Sequence, residues 1–174
     1  MDRAAFRQLI ERRRSIRRFE TVAIDEEKIR EILDSARLAP SAGNLQSYRV
    51  LVVRSAEKRG ALAEAAYGQS FLAQAPVVLA FVAMPDVAAA RYADRGRDLY
   101  AVQDATIAAT FAMLAATALD LGTVWVGAFD TPAVARVLGC PNGETPVALL
   151  PIGVAAESPK PRSRRRPEDL VREL

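Results

Sequence analysis

Arg12-Arg13-Arg14-Ser15-Ile16-Arg17-Arg18 puts five arginines and one serine into seven residues, directly after a short amphipathic stretch. Guanidinium forks and a hydroxyl are the groups that hold a phosphate dianion, because Arg offers paired planar donors and stays charged at any working pH. Taken alone, the run reads more simply as a solvated basic helix end, where the C-terminal dipole favours positive charge. The segments that follow it reverse that reading.

The chain has 174 residues, enough for one domain with a sizeable core. A hydrophobic fraction of 51% and a charged fraction of 26% are those of a soluble globular protein. Net charge is only +3, and the basic residues cluster at Arg12–Arg18 and Arg162–Arg166, so the bias is local and points to anionic ligands. No recognised DNA- or RNA-binding motif accompanies the arginines, which makes a nucleic-acid module the lesser alternative. The chain has no histidine, which removes the Ser-His-Asp triad, the Cys-His pair and every His-ligated metal centre. A single cysteine, Cys140, excludes an internal disulfide, fits a reducing cytoplasm and reads as a buried bystander. Met1-Asp2-Arg3 lacks an apolar signal core, and the apolar-leaning run Ala105–Leu119 is shorter than the roughly 20 residues that span a bilayer. The expectation is a cytoplasmic protein with no membrane partner and no metal.

Outward from the arginines, Asp2 caps a first helix whose inward face is Ala5, Phe6, Leu9, Ile10 and Arg13. Asp25 caps a second, with Ile29, Ile32, Leu33 and Ala36 as its apolar stripe and Pro40 as its stop. Strands are expected at Tyr48–Arg54, Val77–Ala83, Thr123–Phe129 and Pro146–Ala155, the last short, bulged or at an edge because of Pro151. Ser55 opens a helix to Ala66, and Asp130 or Thr131 opens one to Leu138. Met84–Arg97 is a polar connection that could form a lid with a helical turn. Leu99–Leu121 is the longest helical pattern, braced by Gln103 and Asp104 and closed by Gly122. It is apolar almost all round and so must be buried all round, which leads us to expect a homodimer. Trp125 reads as a core or interface aromatic, and Phe71 as packing or a gate. Residues 156–174 form a basic, Pro-containing tail, and residues 1–174 a single domain, α/β or α+β.

There is no G-x-G-x-x-G, G-x-x-x-x-G-K-[ST] or G-x-S-x-G motif, and few acid–base residues, so a cofactor would supply the reactivity. Three segments could build a mononucleotide site: Arg13-Arg14-Ser15-Ile16-Arg17, the loop Pro40-Ser41-Ala42-Gly43-Asn44-Leu45-Gln46, and the basic stretch Lys160–Arg166. Gly127-Ala128 would let backbone N–H groups approach a ring.

With Gln69-Ser70-Phe71-Leu72-Ala73-Gln74-Ala75-Pro76, Leu99–Ala105, Leu121–Gly127 and Pro167-Glu168-Asp169-Leu170-Val171, this pattern resembles the FMN-dependent nitroreductase family along nearly the whole chain. The family often has Pro-Trp after the loop glutamine, where this chain has Ser47-Tyr48. The resemblance implies an α+β fold, a three-layer α/β/α sandwich with a mostly antiparallel sheet and a long buried helix at the interface of a homodimer. It implies FMN held by Arg13, Arg14 and Ser15, with Arg17 at the N1/O2 edge and Val126, Gly127 and Ala128 by the ring, the last two near N5. Pro40, Ser41, Asn44 and Gln46 would come from the other subunit. A tail arginine would complete the phosphate site, Arg165 before Arg162, Arg164 and Arg166. NADH or NADPH would supply hydride, and a nitroaromatic, quinone or similar small molecule would accept it in a ping-pong cycle. Reductive dehalogenation, flavin destruction, oxidation within peptide-modifying complexes and flavin binding without turnover are the alternatives on the same scaffold.

Overall fold

Val77–Ala83 is apolar at every position, and such a strand needs both its faces covered. In the computed structural model, which describes residues 2–174, it is β2 (Val77–Ala83), buried along its whole length within a four-stranded sheet. β1 (Tyr48–Val53), β3 (Gly122–Thr123) and β4 (Thr145–Gly153) complete the sheet in the order β1-β2-β4-β3, every pairing antiparallel.

Among the described residues seven α-helices surround it: α1 (Arg3–Arg12), α2 (Glu26–Arg37), α3 (Ala56–Ala65), α4 (Phe71–Gln74), α5 (Pro85–Arg95), α6 (Ala101–Ala118) and α7 (Thr131–Leu138). Successive strand residues face opposite sides, and the core divides accordingly. Leu79, Phe81, Leu150 and Ile152 pack on Ile29 and Ile32 of α2 and on Ala108 and Ala112 of α6. Val78, Ala80 and Leu149 pack on Leu62 of α3, Leu72 of α4 and Val134 of α7. The result is the α+β, three-layer arrangement.

Pro151 lies in an interior strand, opposite Val78, rather than at an edge. β3 pairs Gly122 with Gly153 and Thr123 with Ile152, and the isolated bridge Val126–Leu149 continues the same register. The ladder lapses only where Pro151 offers no N–H, so the expected Thr123–Phe129 strand survives as two fragments.

α6 ends earlier than its apolar pattern suggests. Asp120, in left-handed geometry (φ 59°), donates its N–H to the Thr117 carbonyl at 3.2 Å, and Leu121 donates to Ala116 at 2.8 Å. That pair of bonds is a Schellman ending with Asp120, not Gly122, at its turning point. One face of α6 is buried on the sheet, but Phe111 on the other is 37% exposed. The expectation of burial all round therefore holds for half of the helix within one chain. α1 buries no residue, and its expected inward residues Phe6 and Ile10 are about half exposed.

Met84–Arg97 is a helix rather than a polar loop. Pro85–Ala118 is a helical run of 34 residues, long and apolar enough by composition to cross a bilayer. It is not a straight rod. Ala93 departs from helical geometry (φ 48°, ψ −137°), and Gly96 returns so close to Ala88 that a Cβ there would overlap the Ala88 carbonyl. In a continuous helix those two residues would be about 12 Å apart along the axis.

Candidate functional site

Asp2 caps α1 by accepting the Ala5 N–H at 2.8 Å, and Arg13 leaves the helix for extended geometry. The sheet then holds the following segment. Ser15 forms a parallel bridge with Thr123, and the Ile16 N–H donates to the Thr123 carbonyl at 3.0 Å. Phe19 bridges Ala155, Glu20 N–H donates to Val154, and Ala156 N–H donates to Arg18. Ile16 is buried over Gly122, where a Cβ would lie 2.9 Å from its Cγ2. Extended alternation turns Ser15 and Arg17 the other way.

They line a cleft of about 810 Å³. Arg13, Arg14, Ser15 and Arg17 form one wall, and Lys160, Arg162 and Arg164 the other; Ile10, Glu11, Glu157, Pro159 and Pro161 complete it. Among the described residues none of these five arginines, nor Lys160, forms a side-chain ion pair, whereas Arg12, Arg49, Arg54 and Arg97 each do. Arg14 donates instead to the Arg13 carbonyl at 2.9 Å and to that of Glu11. Of the cleft's two acids, Glu11 is taken by Arg7 at 2.8 Å, and Glu157 accepts the backbone N–H of Arg17. Burial first, and then the charges of Arg164 and Arg14, push the Arg13 pKa down from its ordinary value. The cleft is a pocket of uncompensated guanidinium groups, built to receive an anion.

The structure thus brings together Arg13, Arg14, Ser15, Arg17 and Arg162. Arg165, the first choice among the tail arginines, is outside the cleft with its guanidinium donating to the Asp169 carbonyl at 2.6 Å. Arg164 takes the place beside Arg13. Four arginines crowded around Ser163, at 162, 164, 165 and 166, give no periodicity from which to choose. Arg12 also leaves the cluster, for Asp120 and the Thr117 carbonyl.

The loop of Pro40, Ser41, Asn44 and Gln46 is not among the cleft's lining residues. Asn44 and Gln46 are exposed. Gly43, Asn44 and Gln46 all have positive φ (56°, 58° and 49°). Gln46 N–H donates to Ser41 Oγ at 3.0 Å, and its side-chain amide to the Asn44 carbonyl at 3.2 Å. Asp104 secures the loop from below: its carboxylate, 1% exposed, accepts from Ala42 N–H at 2.9 Å, Ser47 Oγ at 2.6 Å and Ser47 N–H at 3.3 Å. Asp104, expected to brace its own helix, serves the loop instead.

Val126, Gly127 and Ala128 also lie outside the lining. Val126 is buried and exchanges both backbone bonds with Leu149. Gly127 and Ala128 are exposed, and their N–H groups donate to nothing among the described residues, while the Ala128 carbonyl accepts from Gln69 Nε2 at 2.9 Å. Phe71 is partly buried and packs against Ile16 and Phe19. Cys140 is partly exposed, not buried; burial and then Glu144 push its thiol pKa up.

A model of the nitroreductase family matches residues 10–70 and 64–154. A Thermus thermophilus protein named NADH dehydrogenase is 33% identical, over 92% of this chain and 91% of its own. The FMN reductase [NAD(P)H] of Bacillus subtilis is 32% identical over 88% of this chain and 66% of its own. Among solved structures, the NADPH:FMN oxidoreductase of Vibrio harveyi complexed with NAD+ superposes with a TM-score of 0.88 at 27% identity, over 95% of this chain and 75% of that one.

Proposed function

Because the chain belongs to the nitroreductase family, we propose that it is an NAD(P)H-dependent FMN oxidoreductase that works as a homodimer of single-domain subunits. The relatives named for FMN and NAD(P)H support the cofactor and the donor. The observation that carries the reading to this chain is the cleft of about 810 Å³, whose six cations have no ion pair among the described residues. Its donor set fits a phosphate monoester. Arg13 and Arg14, with Arg162 and Arg164 opposite, would hold the FMN phosphate, and Ser15 the ribityl chain.

FMN supplies the two-electron chemistry when bound; the protein supplies binding, orientation and electrostatics. Arg17, fixed through its backbone N–H to Glu157, would place positive charge at the N1/O2 edge and favour reduction there. Gly127 and Ala128 hold two uncommitted N–H donors for the N5 edge. Preorganised donors of this kind act where charge develops. Pro40, Ser41, Asn44 and Gln46 would reach the ring from a second copy, since within one chain the loop does not line the cleft. The exposed stripe of α6 and the uncovered face of α1 are the surfaces for that copy. In a ping-pong cycle the nicotinamide donor would leave before a nitroaromatic, quinone or similar small acceptor enters.

The test is the absorption spectrum of the purified protein, before and after anaerobic NADH and NADPH. Flavin bands that bleach with either nucleotide are expected. A colourless protein that takes up no added FMN would end the proposal.

A further inference from the structure

Asp104 is a buried carboxylate without a cation. Among the described residues it forms no ion pair, and its partners are two backbone N–H groups and one hydroxyl, all from the ends of the Ala42–Ser47 loop. A charge in such a place costs folding free energy unless it is fully hydrogen-bonded. Between its anchor points the loop carries Gly43, Asn44 and Gln46 at positive φ, which glycine and asparagine tolerate and glutamine resists. The same carboxylate grips the residue before this contorted turn and the residue after it. Asn44 and Gln46, the groups presented between the grips, are exposed and do not line the anion cleft of their own chain. Ser47 contributes two donors to the arrangement, where a proline would contribute none.

We propose that Asp104, with Ser47, is a positioning residue that acts across the subunit boundary, holding Asn44 and Gln46 in the geometry in which they meet the flavin ring bound to the other copy. The inference rests on the flavin reading above. Asp104 touches no flavin; it acts through the loop, and so affects the ring and not the phosphate.

Three full-length variants separate these roles by FMN titration and by the visible spectrum of the fully loaded protein. Asp104→Asn removes one acceptor and turns an amide N–H toward a backbone N–H. It is expected to weaken FMN binding by about tenfold and to shift the flavin absorption band at saturation. Ser47→Ala keeps the carboxylate and both backbone donors, and is expected to shift the band the same way with a smaller loss of affinity. Arg13→Ala is expected to weaken binding with the band unmoved. Wild-type affinity and spectrum in Asp104→Asn would overturn the inference. So would weaker binding with an unshifted band, which is what a general loss of stability produces. If Asp104→Asn does not fold, Ser47→Ala gives the same spectral readout: a shifted band supports the inference and an unshifted one overturns it.

The trans action has its own test, a mixed dimer with Arg13→Ala and Arg14→Ala in one chain and Ser47→Ala or Asp104→Asn in the other. If the loop serves the opposite site, both lesions fall on one site and the second binds FMN with wild-type affinity and spectrum. If it serves its own chain, no wild-type site remains and the inference fails. A wild-type protein that binds no FMN would remove the flavin reading first, and this inference with it, before any variant is made.

Discussion

Burial and the charges of Arg164 and Arg14 disfavour the cationic form of Arg13, yet no acid answers it. A residue placed against its own preference in this way serves a ligand rather than the fold. Arg13→Ala should therefore have opposite effects on two observables. The melting temperature of the flavin-free protein stays level or rises, while FMN affinity falls by at least about tenfold, the loss expected for one charge-assisted contact. Calorimetry without flavin and fluorescence titration with it check the two halves, and a parallel loss in both would make Arg13 structural. Cys140 gives a pH-dependent case. Burial comes first and Glu144 second in raising its pKa, with Arg49 opposing. The thiolate fraction at a given pH is then below that of a free cysteine, so alkylation is slow near neutrality and accelerates only above the usual thiol range. Glu144→Gln shifts the alkylation profile toward lower pH without restoring the ordinary one, because the larger cause, burial, remains.

At the level of elements, the turn of the chain at Ala93 is sustained by the contact of Gly96 with Ala88. The three atoms nearest a Cβ on Gly96 are all backbone, of Ala88 and Ala89, so no side chain can swing aside to relieve the contact. Gly96→Ala should cost about 1–3 kcal/mol, as overpacking does, measured by urea unfolding; a neutral effect would mean that α5 is not held against the start of α6. This bend is hidden in the sequence, since Met84–Arg97 reads as a polar connection and alanine rarely adopts positive φ. By contrast, Asp2, Asp25, Ser55 and Asp130 cap the helices that their side chains announce, because a cap is a local hydrogen bond. β2 is equally legible, as seven apolar residues in a row can only be central. The last strand is harder. Pro151 is a poor interior residue by local rule, but β3 opposite it consists of only two residues, and that compensation is not local. For the same reason Arg13–Arg17 can be read from the sequence as an anion group, whereas the choice of Arg164 over Arg165 cannot. The first depends on composition, the second on how an irregular segment runs past Arg13–Arg17.

For the whole molecule, the proposed dimer would make the open stripe of α6 the link between assembly and cofactor binding. Phe111, 37% exposed on that stripe, is the residue with which to separate them. Phe111→Asp should weaken self-association by about a hundredfold or more through burial of an unpaired charge. Sedimentation should then give the mass of one 18.9 kDa chain instead of two, with FMN lost in the same concentration range. A monomer that keeps its flavin would contradict a site shared between copies. The bond from the Arg17 N–H to Glu157 joins positions 140 residues apart in the chain. One wall of the anion cleft is thus made early in synthesis, and the other only after all four strands have been translated. A growing chain cannot be templated by its cofactor, because the place for it does not exist until the sheet has closed. FMN should accordingly leave the refolding rate unaltered and slow only the escape from the native state, so that the flavin acts as a lock fitted to a finished protein rather than as a seed for it.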